Sequence, residues 1–171
     1  MGAAEAVTQG IISIKEFVKV DQAVKLYLAQ TTEISDIPVL DNYWIVGAPG
    51  LGKSRTVRAR WPNLFNKPCN KWWDGYTHQE TVLIDDFDKP HSVLGHHLKI
   101  WGDHYAYQGE VKGGTCAMRP KRIVVTSNYQ PGTIFEDEEL IEAIRRRFKV
   151  VHVYEDRWEF EPGTGTGRPT K

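Results

Sequence analysis

Apolar residues change their spacing along this chain, and the change predicts a helical lead-in followed by alternating strands and helices. Ile14, Phe17, Val18, Val24, Tyr27 and Leu28 recur at helical intervals. Ser13 and Glu16 frame the start of that pattern as a capping box, and Asp21 is expected to separate two short helices. Beyond residue 36 the apolar positions run together instead. Residues 43–46, 81–87, 122–127 and 148–154 read as strands rich in aliphatic and β-branched side chains, as in a sheet buried on both faces. Between them, residues 53–60 and 137–147 read as helices. Residues 92–105 read as an amphipathic helix with Val93, Leu94, Leu98, Trp101 and Tyr105 on one side. Residues 108–117 read as two short strands joined near Gly113-Gly114, with Lys112 at the tip. The end of the chain, crowded with glycine and proline from Pro162 to Pro169, is expected to be a mobile tail. The pattern thus predicts a helical segment over 1–36, an α/β domain over 37–154 and a tail over 155–171.

The first of those strands leads into Gly47-Ala48-Pro49-Gly50-Leu51-Gly52-Lys53-Ser54, and a helix leaves it. G-x-x-x-x-G-K-S between a strand and a helix is the nucleoside-triphosphate P-loop. Glycines let the loop turn tightly and bring backbone N–H groups to the phosphates, and the helix N-terminus adds its positive end. Lys53 is placed to reach the β- and γ-phosphates, and the Ser54 hydroxyl to ligate magnesium. The predicted strand at 81–87 ends in Asp85-Asp86, and open α/β sheets bind ligands at that carboxyl edge. Asp85 is assigned to magnesium and Asp86 to polarising the attacking water. Asn128, just after the third strand, is placed to sit between the acids and the γ-phosphate.

Composition narrows the partners. The 171 residues carry 22 basic and 22 acidic side chains, a net charge of zero, whereas nucleic-acid-binding domains are usually basic. The positive charge is local: Lys53, Arg55, Arg58, Arg60, Lys67 and Lys71 form one acid-free run, and Lys112, Arg119, Lys121 and Arg122 another. DNA binding therefore has to come from one loop, or from copies of it gathered in an oligomer. No apolar run reaches membrane-spanning length. Cys69 and Cys116 lack metal-finger spacing and suit a reducing compartment. His96, His97 and His104 read as residues of a solvated helix face.

Taken together, the P-loop, Asn70-Lys71-Trp72-Trp73-Asp74-Gly75-Tyr76, the acid strand, Val111-Lys112-Gly113-Gly114-Thr115 and Val124-Val125-Thr126-Ser127-Asn128 resemble the helicase domain of the replication-associated proteins of circoviruses and related single-stranded-DNA viruses, members of helicase superfamily 3. The resemblance covers about residues 40–154. It implies a modified AAA+ domain that hydrolyses ATP with magnesium and works as a hexameric ring on single-stranded DNA in the host nucleus. It also implies a hairpin projecting into the ring channel, where Lys112, Gly113 and Gly114 meet the DNA backbone. Arginine fingers precede the last strand in such proteins, which points to Arg146 or Arg147. Residues 1–36 then match the small oligomerisation segment before the ATPase. Trp72, Trp73 and Tyr76 fit either a core and subunit contact or a surface for stacking bases.

One departure stands out. Nothing before Ile37 carries the His-hydrophobic-His pair of the viral nickase, so no nicking activity is expected from these residues. Two rival readings are another P-loop enzyme, such as a kinase or GTPase, and a ring that binds nucleotide without turnover. The guanine-reading Asn-Lys-x-Asp is missing, since Asn66-Lys67-Pro68-Cys69 and Asn70-Lys71-Trp72-Trp73 both fail it.

Overall fold

The computed structural model describes Glu5 and residues 8–10, 13–31 and 33–167. They fall into two compact units, residues 1–34 and 35–171. In the first, a single helix α1 spans Ile14–Thr31. Its start is the expected capping box: the Ser13 N–H donates to Glu16 Oε2 at 2.7 Å and the Glu16 N–H to Ser13 Oγ at 3.3 Å. Asp21 does not divide it. An aspartate inside a helix carries only a modest propensity cost. Ile14, Leu26 and Tyr27 lie exposed on this helix.

The second unit is built on β1 (Asn42–Val46), β2 (Phe65–Asn66), β3 (Thr81–Ile84), β6 (Arg122–Ser127), β7 (Phe148–Val153) and β8 (Trp158–Phe160). A separate hairpin comprises β4 (Tyr107–Val111) and β5 (Gly114–Met118). The large sheet has the order β2-β3-β6-β1-β7-β8, with every pairing parallel except β7 with β8. Continuous aliphatic runs make this possible, because both sheet faces are covered: Val82, Leu83, Ile84, Ile123, Val124 and Val125 are fully buried. Helices α2 (Lys53–Arg60), α3 (Gly95–Trp101), α4 (Pro131–Ile134) and α5 (Glu138–Arg147) complete the domain. Trp44 forms the aromatic centre of the core, edge-on to Phe87, Phe135 and Phe148. This is a P-loop α/β fold of the modified AAA+ kind.

Two stretches differ from the pattern-based expectation. The amphipathic helix of 92–105 is instead a 3-10 turn, Lys89–Leu94, running into the shorter α3. Pro90 in the first turn and the reciprocal Asp88–His91 cap start it early, and the chain leaves the helix at Gly102. Leu94, Leu98 and Trp101 are buried as expected, but Val93 and Tyr105 point to solvent. The chain beyond residue 155 is not a mobile tail as far as residue 167. β8 pairs antiparallel with β7, and the Gly165 and Gly167 N–H groups donate to the carbonyls of Arg145 and Arg146. These are helix-end carbonyls that need partners. A Cβ on Gly165, at φ 69°, would come within 2.8 Å of the Lys149 nitrogen, so glycine there serves close approach.

Candidate functional site

Parallel pairing decides where the chemistry gathers. Val46 lies level with Ser127, and Ile84 with Val125, so the loop after β1, the acids after β3 and Asn128 after β6 emerge at one sheet edge. Gly47 opens the loop against β7, where a Cβ would meet the Val153 carbonyl oxygen at 2.7 Å. Gly52, with φ 78°, caps α2 in a conformation that favours glycine.

Within that edge Lys53 is 8% exposed. Its Nζ donates to the Gly47 carbonyl at 2.6 Å, the Ala48 carbonyl at 2.8 Å and Asn128 Oδ1 at 3.1 Å. Partial burial pushes its pKa below the ordinary value, against the opposing pull of Asp86 and Asp85. The Ser54 hydroxyl donates to Asp85 Oδ1 at 2.5 Å. Burial pushes Asp85 upward, but hydrogen bonds from Ser54 and Thr126 and the Arg58 guanidinium, 3.6 Å away, hold its carboxyl below the usual range. Asp86 is exposed at the cavity, in a left-handed conformation at φ 55°. Aspartate is among the residues that tolerate this region best.

Thr126, which sequence reading passed over, organises both acids. Its hydroxyl donates to Asp85 Oδ1 at 2.5 Å and accepts from the Asp86 N–H at 3.0 Å. The sequence signal was a hydroxyl directly after the aliphatic run Ile123-Val124-Val125. A cavity of about 470 Å³ joins Pro49, Lys53, Ser54, Asp85, Asp86 and Asn128. Among the described residues no group of three or more His, Cys, Asp or Glu could hold a metal by itself. The adjacent Ser54 and Asp85 oxygens are, however, the hard donor pair that suits magnesium when phosphates supply further ligands. On the other side of Gly47 lies a second cleft of about 520 Å³, lined by Leu51, Val153, Tyr154 and Arg157.

The remaining predicted site residues lie elsewhere. Lys112, Gly113 and Gly114 are exposed at the turn between β4 and β5. Arg146 and Arg147, at the end of α5, border a cavity of about 450 Å³ with His96, Lys99 and Glu142. Arg147 is engaged within the domain, donating from Nη2 to Asp103 Oδ2 at 2.7 Å and from Nη1 to the Ala143 carbonyl at 3.0 Å. Arg146 makes no ion pair among the described residues, and its buried Nε has no partner. The aromatic cluster divides: Trp73 is buried against Phe65, Tyr76 and Trp101, while Trp72 is only partly covered, beneath the Lys71 ammonium. The basic runs divide as well. Lys67 is buried and Arg119 largely so, and Arg122 pairs with Asp41 and covers Trp61.

The RNA helicase family profile matches residues 43–129, just over half of the chain. The replication-associated protein of pigeon circovirus is 37% identical over 122 residues, covering 69% of this chain and 37% of that protein. That of porcine circovirus 1 is 35% identical over 131 residues, 72% of this chain and 41% of the relative. A replication-associated protein of human associated cyclovirus 1 is 35% identical over 97 residues, 53% and 34% of the two chains. The chain therefore spans about two fifths of the circovirus relatives it matches. The matched stretch runs from the strand before the P-loop to just past Asn128, and so contains both nucleotide motifs and the hairpin. This chain belongs to the RNA helicase family, as a helicase domain like that of the circovirus replication-associated proteins.

Proposed function

We propose that this domain hydrolyses ATP to move on single-stranded DNA as one subunit of a ring, the hexamer that the family resemblance implies, and does so in the host nucleus. The observation that carries the reading is the convergence of Lys53, Ser54, Asp85, Asp86 and Asn128 on one cavity at the carboxyl edge of the sheet. Phosphate oxygens would take the place of the Gly47 and Ala48 carbonyls as acceptors for Lys53. Ser54 and Asp85 would hold magnesium, which when bound neutralises phosphate charge. Asp86 accepts the proton of the attacking water as its oxygen bonds to the γ-phosphorus, while the bond to the ADP oxygen breaks and ADP leaves. Asn128, tied to Lys53, orients that water.

The free guanidinium of Arg146 supports it as the arginine that reaches a neighbouring subunit's nucleotide, since Arg147 is occupied by Asp103. The exposed apolar residues of α1 support a role in assembly. Lys112 at the hairpin tip is the proposed DNA contact. Phosphate release measured with and without single-stranded DNA tests the whole reading, with DNA-stimulated turnover expected. Nucleotide binding without turnover would favour a passive ring, and turnover indifferent to DNA another P-loop enzyme.

A further inference from the structure

Residues 67–74 touch both the acid strand and the outer half of the hairpin. At one end the Lys67 N–H donates to the Leu83 carbonyl at 2.8 Å, and the Cys69 thiol to the Asp85 carbonyl at 3.3 Å. At the other, the Trp73 N–H donates to the Glu110 carbonyl at 2.8 Å and Lys71 Nζ to Glu110 Oε1 at 3.0 Å. Asp74 Oδ1 accepts the N–H of Lys112 itself at 3.1 Å.

What stiffens the stretch between is Lys67, 1% exposed. Its ammonium donates to the carbonyls of Pro68 at 3.2 Å, Trp72 at 3.0 Å and Asn70. It also lies over the rings of Trp73 at 5.0 Å and Trp101 at 4.5 Å. An ammonium has three donors, and here each has a backbone oxygen of the same short stretch. No carboxylate pairs with it among the described residues, and burial pushes its pKa down to about 8. A buried lysine without an anion is costly, so its place here is explained by what it holds.

We propose that residues 67–74 couple the nucleotide site to the DNA-contacting hairpin, with Lys67 as the positioning residue that keeps this link rigid. The proposal rests on the ATPase and DNA-binding reading above. A shift of Asp85 on nucleotide binding or release reaches Glu110 and Lys112 through backbone contacts held at fixed spacing by the Lys67 ammonium. Energetic coupling is reciprocal, so the factor by which bound ATP changes DNA affinity equals that by which DNA changes ATP affinity.

The test measures single-stranded DNA affinity with a non-hydrolysable ATP analogue and with ADP, together with basal ATPase and thermal unfolding. It compares the parent with Asp74→Ala, Asp74→Asn, Glu110→Ala and Lys67→Met. The parent is expected to show at least a severalfold difference in DNA affinity between the two nucleotides. Asp74→Ala, Glu110→Ala and Lys67→Met should shrink that difference towards unity while Asp74→Ala and Glu110→Ala keep parental basal turnover. Asp74→Asn, which keeps an acceptor for the Lys112 N–H, should restore the difference. If Lys67→Met fails to fold, the two exposed-end variants decide. Parental coupling in Asp74→Ala and Glu110→Ala would overturn the proposal alone, whereas a parent without ATPase or DNA binding would overturn the functional reading and the link with it.

Discussion

At the carboxyl edge of the sheet Lys53 is held by three hydrogen bonds and buried, whereas Lys112 sits exposed at the hairpin tip with its backbone N–H tied to Asp74. The first lysine is proposed to act on a small ligand whose charge must be met at fixed distances, and its position is set by the loop, by Asn128 and by the acids. The second is proposed to meet a repeating phosphate chain, where one contact is interchangeable with the next. Rigid placement suits transition-state charge, which is stabilised only by groups already in position. A mobile charge suits backbone binding, which draws its strength from multiplicity and carries no sequence information.

The largest effect is expected where placement is tightest. Lys53→Ala should bring ATP hydrolysis to background and weaken nucleotide binding, and full turnover by this variant would end the P-loop assignment. Arg146→Ala comes next, with a loss on the order of a thousandfold if the arginine serves a neighbour's site. Mixing Arg146→Ala with Lys53→Ala protein should restore part of the activity, and turnover per subunit should climb with protein concentration. An Arg147→Ala variant that fails while Arg146→Ala stays active would reverse the choice between them.

Asp86→Asn should keep nucleotide binding and lose about a hundredfold or more in turnover, because an amide cannot take the proton. Single-turnover phosphate release separates those two effects.

Lys67 sharpens the comparison by titration. Its pKa in the folded chain, about 8, lies below the ordinary lysine value. The unfolded chain therefore binds more protons between those two values, and stability rises with pH across that window. Denaturant unfolding of the parent minus that of Lys67→Met should grow with pH above about 8, by at most about 1.4 kcal/mol per unit. A flat difference would mean that the carbonyls and indole rings fully offset burial.

The smallest effect belongs to the exposed lysine. Lys112→Ala should weaken single-stranded DNA binding alike for all sequences and flatten its salt dependence by about 0.7 log units for each phosphate it no longer neutralises. Lys121→Ala, exposed but beyond the base of the hairpin, serves as the control, and equal salt slopes for the two variants would remove Lys112 from the DNA interface.

Motifs that depend on local backbone and contiguous residues were legible in the chain. The P-loop needs glycine at defined positions beside Lys53 and Ser54, the strands need unbroken aliphatic runs, and the Lys112-Gly113-Gly114 turn is a short-range signal. The length and start of α3 were less legible, because a proline and a side-chain cap overrode hydrophobic spacing. The fate of residues 158–167 was misleading, since glycines that signal flexibility locally are used here for close packing on β7 and α5.

Side-chain partnerships between distant elements belonged to the tertiary structure alone. Thr126 meets Asp85 from a strand 41 positions away, and Arg147 meets Asp103 across 44. Six basic residues from Lys53 to Lys71 looked alike as charges, yet burial made one a phosphate ligand candidate, another the internal clasp of a loop, and left the rest near the surface. Sequence determined the strand–loop–helix grammar because it is enforced by local sterics and hydrophobic period. Which charge is buried, and against what, is decided only when distant elements come together, since desolvation and hydrogen-bond geometry are properties of the assembled fold.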